Sequence, residues 1–454
     1  MENSNNFLPN TSPKKTGFRW VVLALIFLVY MIAGADRSNI GMVVPFVKKS
    51  FNLSNTDIGA MASFFYLTYA LVQIPSGLFF GKKGVRKFFT LSIILTSVAT
   101  FVMGLANSGL HLKMARALLG FAEGPINIGC ITTINRWFPD REKGIATGVF
   151  MSSIKFAPAV VPPLCAWIIV SFGWRAVFYA FAVPGFFSAV LWWIFVKDKP
   201  EDSKFCNQAE IDYIKSATVE VPQKDVSHDK IKTIKSRDGM LDKLIRTKII
   251  KPLATNSEIL RSWNVWACSL GYFFLVGITY AIMTWIPTYL ITVKHFSILK
   301  MGFVASAPWV GAVLGNVFGG IISDKVFSSR RKPNMIITAA STVVLMYSLL
   351  YAPNDPTILG ILLLAAGIFL NLGYSTFLAY PMGIASQEKY PFAASIVNTA
   401  GSLGGAFAPF LVGVILDAFS WDMVFEFLAG ISLLTLLLLL TMIEPIPDRS
   451  EEKA

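Results

Sequence analysis

Five charged side chains lie in segments that are otherwise apolar, namely Asp36, Arg37, Arg116, Glu123 and Lys155. A charge at the centre of a bilayer costs about 2.5–3.5 kcal/mol on insertion scales, so such residues are candidates for function. A carboxylate that competes with an anionic substrate for an arginine would couple proton binding to substrate binding. The alternative is a static ion-pair network that only holds helices together, although buried pairs stabilise less than apolar packing does.

The spacing of these residues indicates which of them share a helix face. Arg116 and Glu123 are seven residues apart, two helical turns less about 20°, so one face of a helix carries both side chains. Asp36 and Arg37 are adjacent and point about 100° apart, so a single partner cannot face both of them squarely.

The elements that must position these charges are membrane helices. Of the 454 residues, 54% are hydrophobic and 15% are charged, whereas soluble proteins carry about 25% charged residues. A helix needs about 20 mainly apolar residues to cross the bilayer, and runs such as 20–35, 358–370 and 428–443 reach that length with their flanks. The composition predicts a multi-pass membrane protein. It excludes a soluble enzyme, a secreted disulfide scaffold and a nucleic-acid-binding protein, despite a net charge of +13.

Apolar runs separated by charged breaks predict an all-α protein with twelve membrane-spanning helices. These predicted spans, numbered 1 to 12, cover residues 20–46, 57–80, 88–108, 112–135, 144–171, 175–196, 263–290, 298–323, 333–352, 357–385, 391–417 and 422–443. Lysine and arginine are concentrated in the loops on the side of the N terminus, which predicts that both termini are cytoplasmic. The positive net charge is then a topology signal plus one basic loop.

Internal repetition indicates two halves. At a spacing of 247 residues, the residues Phe172, Trp174, Val177 and Phe178 match Phe419, Trp421, Val424 and Phe425. Parallel repeats of this kind place a substrate site near the membrane midplane, between the halves. The predicted organisation is a cytoplasmic tail (1–19), a six-helix bundle (20–196), a basic cytoplasmic linker (197–261), a second six-helix bundle (262–443) and a cytoplasmic tail (444–454).

Two interpretations of the linker stay open. Its stretch 230–251 mixes basic residues with isoleucine, leucine and methionine. That pattern is typical of an amphipathic helix on the inner leaflet of a membrane. A solvated tether between the two bundles explains the same composition.

The sequence contains no pattern that indicates a metal site or an organic cofactor. The four cysteines, Cys130, Cys165, Cys206 and Cys268, lack CxxC or zinc-type spacing. Three of them lie in apolar segments, where a cysteine usually acts as a small packing residue. None of the three histidines has a second ligand three or four residues away.

The loops after spans 2 and 8 carry related motifs, which begin at Gly77 and Gly320. The charged residues of these motifs are Lys82, Lys83, Arg86, Asp324, Arg330 and Arg331. Both motifs resemble the signature of the major facilitator superfamily, a glycine followed by an acidic residue and a basic cluster. The resemblance implies that these charges latch the cytoplasmic helix ends in one gating state. The first copy has Gly81 where an aspartate is usual, so we expect an asymmetric or weakened latch.

Motifs on several spans resemble the anion:cation symporter family within the major facilitators. The matching segments are 34–39 (GADRSN), 116–125 (RALLGFAEGP), 136–139 (RWFP), 210–214 (EIDYI), 284–290 (TWIPTYL) and 398–405 (NTAGSLGG). Members of this family move organic anions such as hexonates, hexuronates, phthalate, tartrate and sialate, generally with protons. The resemblance also implies a bacterial inner membrane, because animal relatives commonly have a longer loop between the first two spans.

The resemblance assigns roles to individual residues. It implies that Asp36 and Glu123 carry protons, that Arg37 holds the substrate carboxylate and that Arg116 pairs with Glu123. The other positions that match the family's cavity lining are Tyr69, Gln73, Ser375 and Asn398.

Several departures from the family pattern concern the substrate. Gly34 replaces the usual tyrosine of span 1, and Ile154 aligns with a sugar-binding glutamine. Phe377 and Leu378 stand where a threonine and a tryptophan are expected. Sugar hydroxyls need convergent polar partners, so these exchanges argue against an aldonate. They favour a less hydroxylated anion, such as a dicarboxylate or an aromatic acid.

The candidate substrate-binding residues also include Arg37, Arg116 and Lys155. Lys155 has three interpretations. It forms an ion pair with Asp36 or Glu123, it contacts a second substrate carboxylate, or its ammonium group snorkels along a crevice.

The sequence thus predicts a secondary transporter that imports a small organic anion with protons by alternating access. It is expected to be a monomer in the bilayer, with no enzymatic activity and with the proton gradient as its energy source. Two alternatives are an exporter of an amphipathic or siderophore-like compound by proton antiport, and a sensor that uses the linker for signalling.

Overall fold

The computed structural model describes residues 15–83, 85–216, 245–327, 330–386 and 388–447. The first long helices are α1 (Phe18–Phe51), α2 (Asn55–Lys83), α3 (Arg86–Gly104), α4 (Gly109–Trp137), α5 (Asp140–Phe172) and α6 (Trp174–Phe195). They are followed by the short helix α7 (Gln208–Ser216), strand β1 (Thr247–Ile250) and the short helix α8 (Asn256–Arg261). The remaining elements are α9 (Trp263–Thr292), α10 (Ile298–Ile321), α11 (Lys332–Ser348), α12 (Pro356–Leu372), α13 (Tyr374–Ala379), α14 (Pro381–Ile384), α15 (Tyr390–Ala418), α16 (Trp421–Thr441) and β2 (Glu444–Pro447).

Eleven helical segments of the described residues are long and apolar enough to cross a membrane. One of these segments, Pro356–Ile384, comprises α12, α13 and α14 together. Helix α2, with 29 residues, packs between α4 and α15 as the twelfth. The predicted all-α fold with twelve spans is therefore confirmed. It satisfies the requirement that backbone N–H and C=O groups in lipid find their partners within the spanning segment.

Two carboxylates cap helices at equivalent places in the two halves. Asp198, after α6, accepts hydrogen bonds from two consecutive backbone N–H groups at the start of α3, one of them that of Arg86 (2.9 Å). Glu444, after α16, accepts two such bonds at the start of α11, one of them from Lys332 (2.7 Å). A carboxylate stabilises a helix N terminus because the first N–H groups have no partner within the helix. Both pairs of equivalent residues are 246 positions apart, so the same contact is repeated in each half.

The end of the linker and the C-terminal segment meet in a small sheet. Strands β1 and β2 pair in parallel, with Thr247 opposite Glu444. The end of the stretch 230–251 is thus a strand, and the amphipathic-helix interpretation is wrong there, because its backbone pairs with β2. Residues 217–244 lie outside the described part of the chain, so a helix or a tether in the rest of the stretch stays a prediction.

Two of the predicted latch residues contact their own half. The guanidinium group of Arg86 donates to the backbone O of Trp193 (2.7 Å) and lies 4.2 Å from the centre of that ring. Both residues belong to the first half. Arg331 donates from Nη1 to Oγ of Ser323 (2.8 Å) within the second half. Neither of these contacts joins the halves, so they anchor the loops locally.

The contacts of the other predicted latch residues do not show whether a latch joins the halves. Arg330 lies in the turn before α11, where its backbone N donates to the backbone O of Phe327 (3.0 Å). The side chains of Lys82, Lys83 and Asp324 lie outside what the structure describes. A latch between the halves therefore stays a prediction.

The two halves close against each other at one end of the bundle. We call the end that holds α7, α8 and the small sheet the linker end, and the opposite end the far end. At the far end Asp417 of α15 accepts hydrogen bonds from the backbone N of Asn55 (2.8 Å) and Thr56 (2.7 Å), the first residues of α2. Gly41 of α1 lies so close to α9 that an added Cβ would overlap the backbone O of Met283. The space between the halves therefore faces the linker end.

Replacing Asp417 with asparagine is expected to open the far end more often, because a neutral amide is a weaker cap for α2 than a carboxylate. Spin labels introduced by Lys49→Cys and Ser420→Cys, in a background without the native cysteines, report the separation of the halves there. We expect the population in which the two labels are far apart to grow about two- to fivefold. This is the effect of losing the interaction of one charge with a helix terminus. Asp422→Asn removes a charge at the same end and serves as the control. An equal shift in both variants would point to net charge and contradict the cap.

Candidate functional site

An ion pair between α1 and α4 forms the charged centre of the site. Nε of Arg37 donates to Oε1 of Glu123, and both side chains are buried. Nη2 of Arg37 and Oε2 of Glu123 have no hydrogen-bond partner among the described residues. The ring of Tyr69 has its centre 4.7 Å from Cζ of Arg37. Arg37 thus keeps a donor that an additional anion can use.

Glu123 pairs with Arg37, which corrects the predicted pairing with Arg116. Nη1 of Arg116 donates to the backbone O of Asp36 (3.2 Å), and its guanidinium carbon lies 4.5 Å from the centre of the Phe65 ring. The seven-residue spacing does place Arg116 and Glu123 on one face of α4, but it also separates them by about 10 Å along the helix axis. Arg37 is level with Glu123, whereas Arg116 lies two turns nearer the far end.

Asp36, the other predicted proton carrier, is buried and only lightly held. Its Oδ1 accepts a hydrogen bond from Nδ2 of Asn39 (3.3 Å). Its carboxylate forms no ion pair within the described part of the chain. The structure therefore separates the two acids: Glu123 is held by a cation, and Asp36 is held by an amide.

A cavity of about 450 Å³ lies between the halves, on the side of the linker end. Six of the seven candidate substrate-binding residues line it, namely Arg37, Tyr69, Gln73, Lys155, Ser375 and Asn398. The seventh, Arg116, is 1% exposed and does not line the wall. Direct contact between Arg116 and a substrate is therefore corrected, because its position on α4 places it behind Phe65. Asp36 and Glu123 also lie behind the wall.

The cavity is richer in polar groups than the departures from the family pattern predict. Six tyrosines line it: Tyr30, Tyr66, Tyr69, Tyr272, Tyr280 and Tyr374. Of these tyrosines only Tyr69 was predicted from the sequence, and the unpredicted polar residues of the lining also include Asn127, Ser152, Asn316 and Ser402. Comparison at single family positions cannot find them. A usable signal is the spacing of polar residues along one helix face within an apolar span, as for Tyr66, Tyr69 and Gln73 in α2.

Lys155 faces the second half, which corrects the interpretation that it pairs with Asp36 or Glu123. Its Nζ donates to Oδ1 of Asn371 (3.3 Å) in α12 and lies 4.1 Å from the centre of the Tyr374 ring. No described carboxylate forms an ion pair with it. Lys155 is thus a second cation of the cavity, beside Arg37.

Comparisons with known proteins give consistent matches over most of the chain. A family model described as Major Facilitator Superfamily matches residues 26–380 and 295–454. A protein of Escherichia coli (strain K12), described as "Probable galactarate/D-glucarate transporter", is 29% identical over 428 residues, which cover 90% of this chain and 91% of that protein. A protein of the same description from Bacillus subtilis (strain 168) is 28% identical over 430 residues, which cover 89% of this chain and 87% of that protein.

A solved structure has a similar fold. The bacterial homolog of the human lysosomal transporter Spinster, in an inward-facing and occupied conformation, has a TM-score of 0.72 to this chain at 16% sequence identity. The match covers 94% of this chain and 95% of that chain.

Proposed function

Because this chain belongs to the Major Facilitator Superfamily, and is therefore a multi-pass membrane transporter and not an enzyme, we propose that it imports a small organic carboxylate together with protons. The observation that carries the proposal is the buried pair of Arg37 and Glu123 beside a cavity between the two halves. A site between the halves of such repeats is accessible from alternate sides as the halves rock against each other.

The charges of the cavity support an anionic substrate. Arg37 and Lys155 line it, and no Asp or Glu of the described chain does. The polar residues around them offer hydrogen bonds to hydroxyl groups, which supports a substrate like the sugar acids named for the relatives.

The pair of Arg37 and Glu123 supplies a way to couple protons to the substrate. While Glu123 is ionised, it occupies Nε of Arg37. Protonation weakens that bond, and Arg37 then turns its charge toward a substrate carboxylate, because a cation favours the stronger anion nearby. Asp36, one residue away in sequence, is the second proton site in this proposal.

The proposed direction of transport is import, and the proposed location is the inner membrane. The excess of lysine and arginine on the linker side supports a cytoplasmic linker end. The cavity then faces the cytoplasm in this structure, as expected for the state that releases an imported substrate. We place the protein as a monomer in the inner membrane of a bacterium.

The proposal is tested with purified protein in liposomes that contain a pH-sensitive dye. Addition of galactarate, D-glucarate or D-galactonate outside is expected to acidify the interior with the wild-type protein. Glu123→Gln is expected to lower this proton movement at least about tenfold, while exchange of labelled anion persists, because the amide mimics the protonated acid.

The control for this experiment is Glu426→Gln, which removes a carboxylate from the exposed face of α16. It should leave acidification unchanged. Undiminished acidification in Glu123→Gln would reject Glu123 as the coupling residue. Absence of uptake with every anion in the wild type would reject the carboxylate substrate itself.

A further inference from the structure

Lys155 is part of a polar cluster that spans the two halves. Asn371 Oδ1 accepts hydrogen bonds from Nζ of Lys155 (3.3 Å) and from Nδ2 of Asn316 (3.4 Å). Lys155 belongs to α5 of the first half, whereas Asn316 and Asn371 belong to α10 and α12 of the second. The Arg37–Glu123 pair, by contrast, lies entirely within the first half.

The positive charge of Lys155 has few hydrogen-bond partners for a charge within a membrane. An ammonium group has three donors, and Lys155 uses one of them on a neutral amide oxygen at the long end of the hydrogen-bond range. The amide nitrogens of Asn371 and Asn316 each donate one hydrogen to a helix backbone O, of Gly367 (3.0 Å) and Ala312 (2.9 Å) respectively. The second hydrogen of the Asn316 amide is the one donated to Asn371 Oδ1, so a carboxylate that took the place of this oxygen would find donors from both halves, Lys155 and Asn316.

The two cations border the same space. Arg37 and Lys155 both line the main cavity, and both also line a smaller adjoining cavity of about 60 Å³. A small anion that reaches Arg37 is therefore also within reach of the Lys155 cluster. A monoanion leaves one of the two cations without a counter-charge in a low-dielectric site, whereas a dianion compensates both.

We propose that Lys155 and Asn316, which line the cavity and are both held by the buried Asn371, bind a second carboxylate of the substrate, so that the transported species is a dicarboxylate. This inference rests on the proposed function. One carboxylate takes the place of Glu123 at Arg37, and the other takes the place of Asn371 Oδ1 at Lys155. Because the second carboxylate contacts both halves, it stabilises the closed state through which transport proceeds. A monocarboxylate contacts only the first half through Arg37, so it binds but is carried slowly.

The test uses two ligands that differ only at one terminus, a six-carbon aldarate and the aldonate of the same configuration. Uptake into liposomes and binding to the purified full-length protein are both measured. In the wild type we expect the saturating rate of aldarate uptake to exceed that of the aldonate by about tenfold or more. The reason is that the aldarate forms one additional charge-assisted hydrogen bond in the closed state. The aldonate should still compete for binding.

Lys155→Gln is expected to bring the ratio of aldarate uptake to aldonate uptake down to about one. Lys155→Arg should retain most of the preference, and Lys300→Gln, an exposed residue at the far end, is the control. Asn371→Leu tests the same cluster without a change of charge and should lower the preference several-fold. Size-exclusion profiles identify any variant that fails to fold.

The outcomes separate the two proposals. If both anions enter but Lys155→Gln and Asn371→Leu keep the wild-type ratio, the second carboxylate site is rejected while anion transport stands. Equal uptake of aldarate and aldonate by the wild type also rejects it. If neither anion enters with the wild type, the carboxylate transporter itself is rejected, and the inference fails with it.

Discussion

Replacing Arg37 with lysine is expected to lower the initial rate of anion uptake by about 100-fold or more, although the positive charge is kept. Arg37 donates from Nε to Glu123 and keeps Nη2 without a partner among the described residues. A guanidinium group offers these donors at fixed angles, so it can pass from the proton-carrying acid to a substrate carboxylate. An ammonium group is a point charge on a flexible stem, so it does not hold its donors at fixed angles toward either partner. Uptake of labelled aldarate under an imposed proton gradient measures the effect.

Arg175→Lys is the matched control, because Arg175 is exposed at the far end and donates there to the backbone O of Ala106 (3.2 Å). Its uptake should equal that of the wild type. Uptake by Arg37→Lys within a few-fold of the wild type, at an unchanged KM, would mean that charge alone matters at this position. The proposed exchange of partners at Arg37 would then be wrong.

Replacing Gly404 with alanine is expected to destabilise the second half strongly. Gly404 of α15 faces α9, where an added Cβ would overlap the backbone O of Phe273. A backbone atom cannot move aside unless the two helices separate, and overpacking of this kind costs about 1–3 kcal/mol or more. We expect the Tm of the purified protein to fall by about 5 °C or more. Thermal unfolding followed by tryptophan fluorescence measures it.

Gly430→Ala is the control for this prediction. Gly430 lies in α16, and among the described residues no heavy atom outside its own helix lies within 4 Å of an added Cβ. Alanine is favoured over glycine in a helix interior by roughly 0.5–1 kcal/mol, so the Tm should stay equal or rise slightly. A Gly404→Ala protein as stable as the wild type would show that α9 and α15 separate easily.

The close approach of α9 and α15 also explains why segment 398–405 is rich in glycine. From the sequence alone, this segment was recognised only by its resemblance to a family motif. A Cβ added to Gly401 would lie 2.5 Å from the ring of Tyr272, and a Cβ added to Gly405 would lie 2.6 Å from the ring of Tyr280. Those two tyrosines line the cavity. The glycines of segment 398–405 therefore leave the space that these cavity-lining rings occupy. Spacing along the chain does not reveal this, because the rings belong to another helix.

The sequence by itself determined the twelve spans, because the length and hydropathy of each segment are local properties and lipid demands helices. It also singled out Arg37, Glu123 and Lys155, because a charge within an apolar span must face protein or a cavity. Of the six predicted residues that line the cavity, Arg37 and Lys155 stood out as charges in apolar spans, whereas Tyr69, Gln73, Ser375 and Asn398 followed from the resemblance to the family.

Only the tertiary structure decided which of these groups meet. That Glu123 pairs with Arg37 instead of Arg116, and that Lys155 faces Asn371, depends on the axial level and rotation of helices far apart in sequence. The pairing of β1 with β2 and the cap that Asp417 forms on α2 are likewise long-range contacts. Hydropathy reports whether a residue lies in the membrane, whereas a hydrogen bond requires two atoms to lie within about 3 Å. Packing of the helices supplies that precision, and the linear pattern does not contain it.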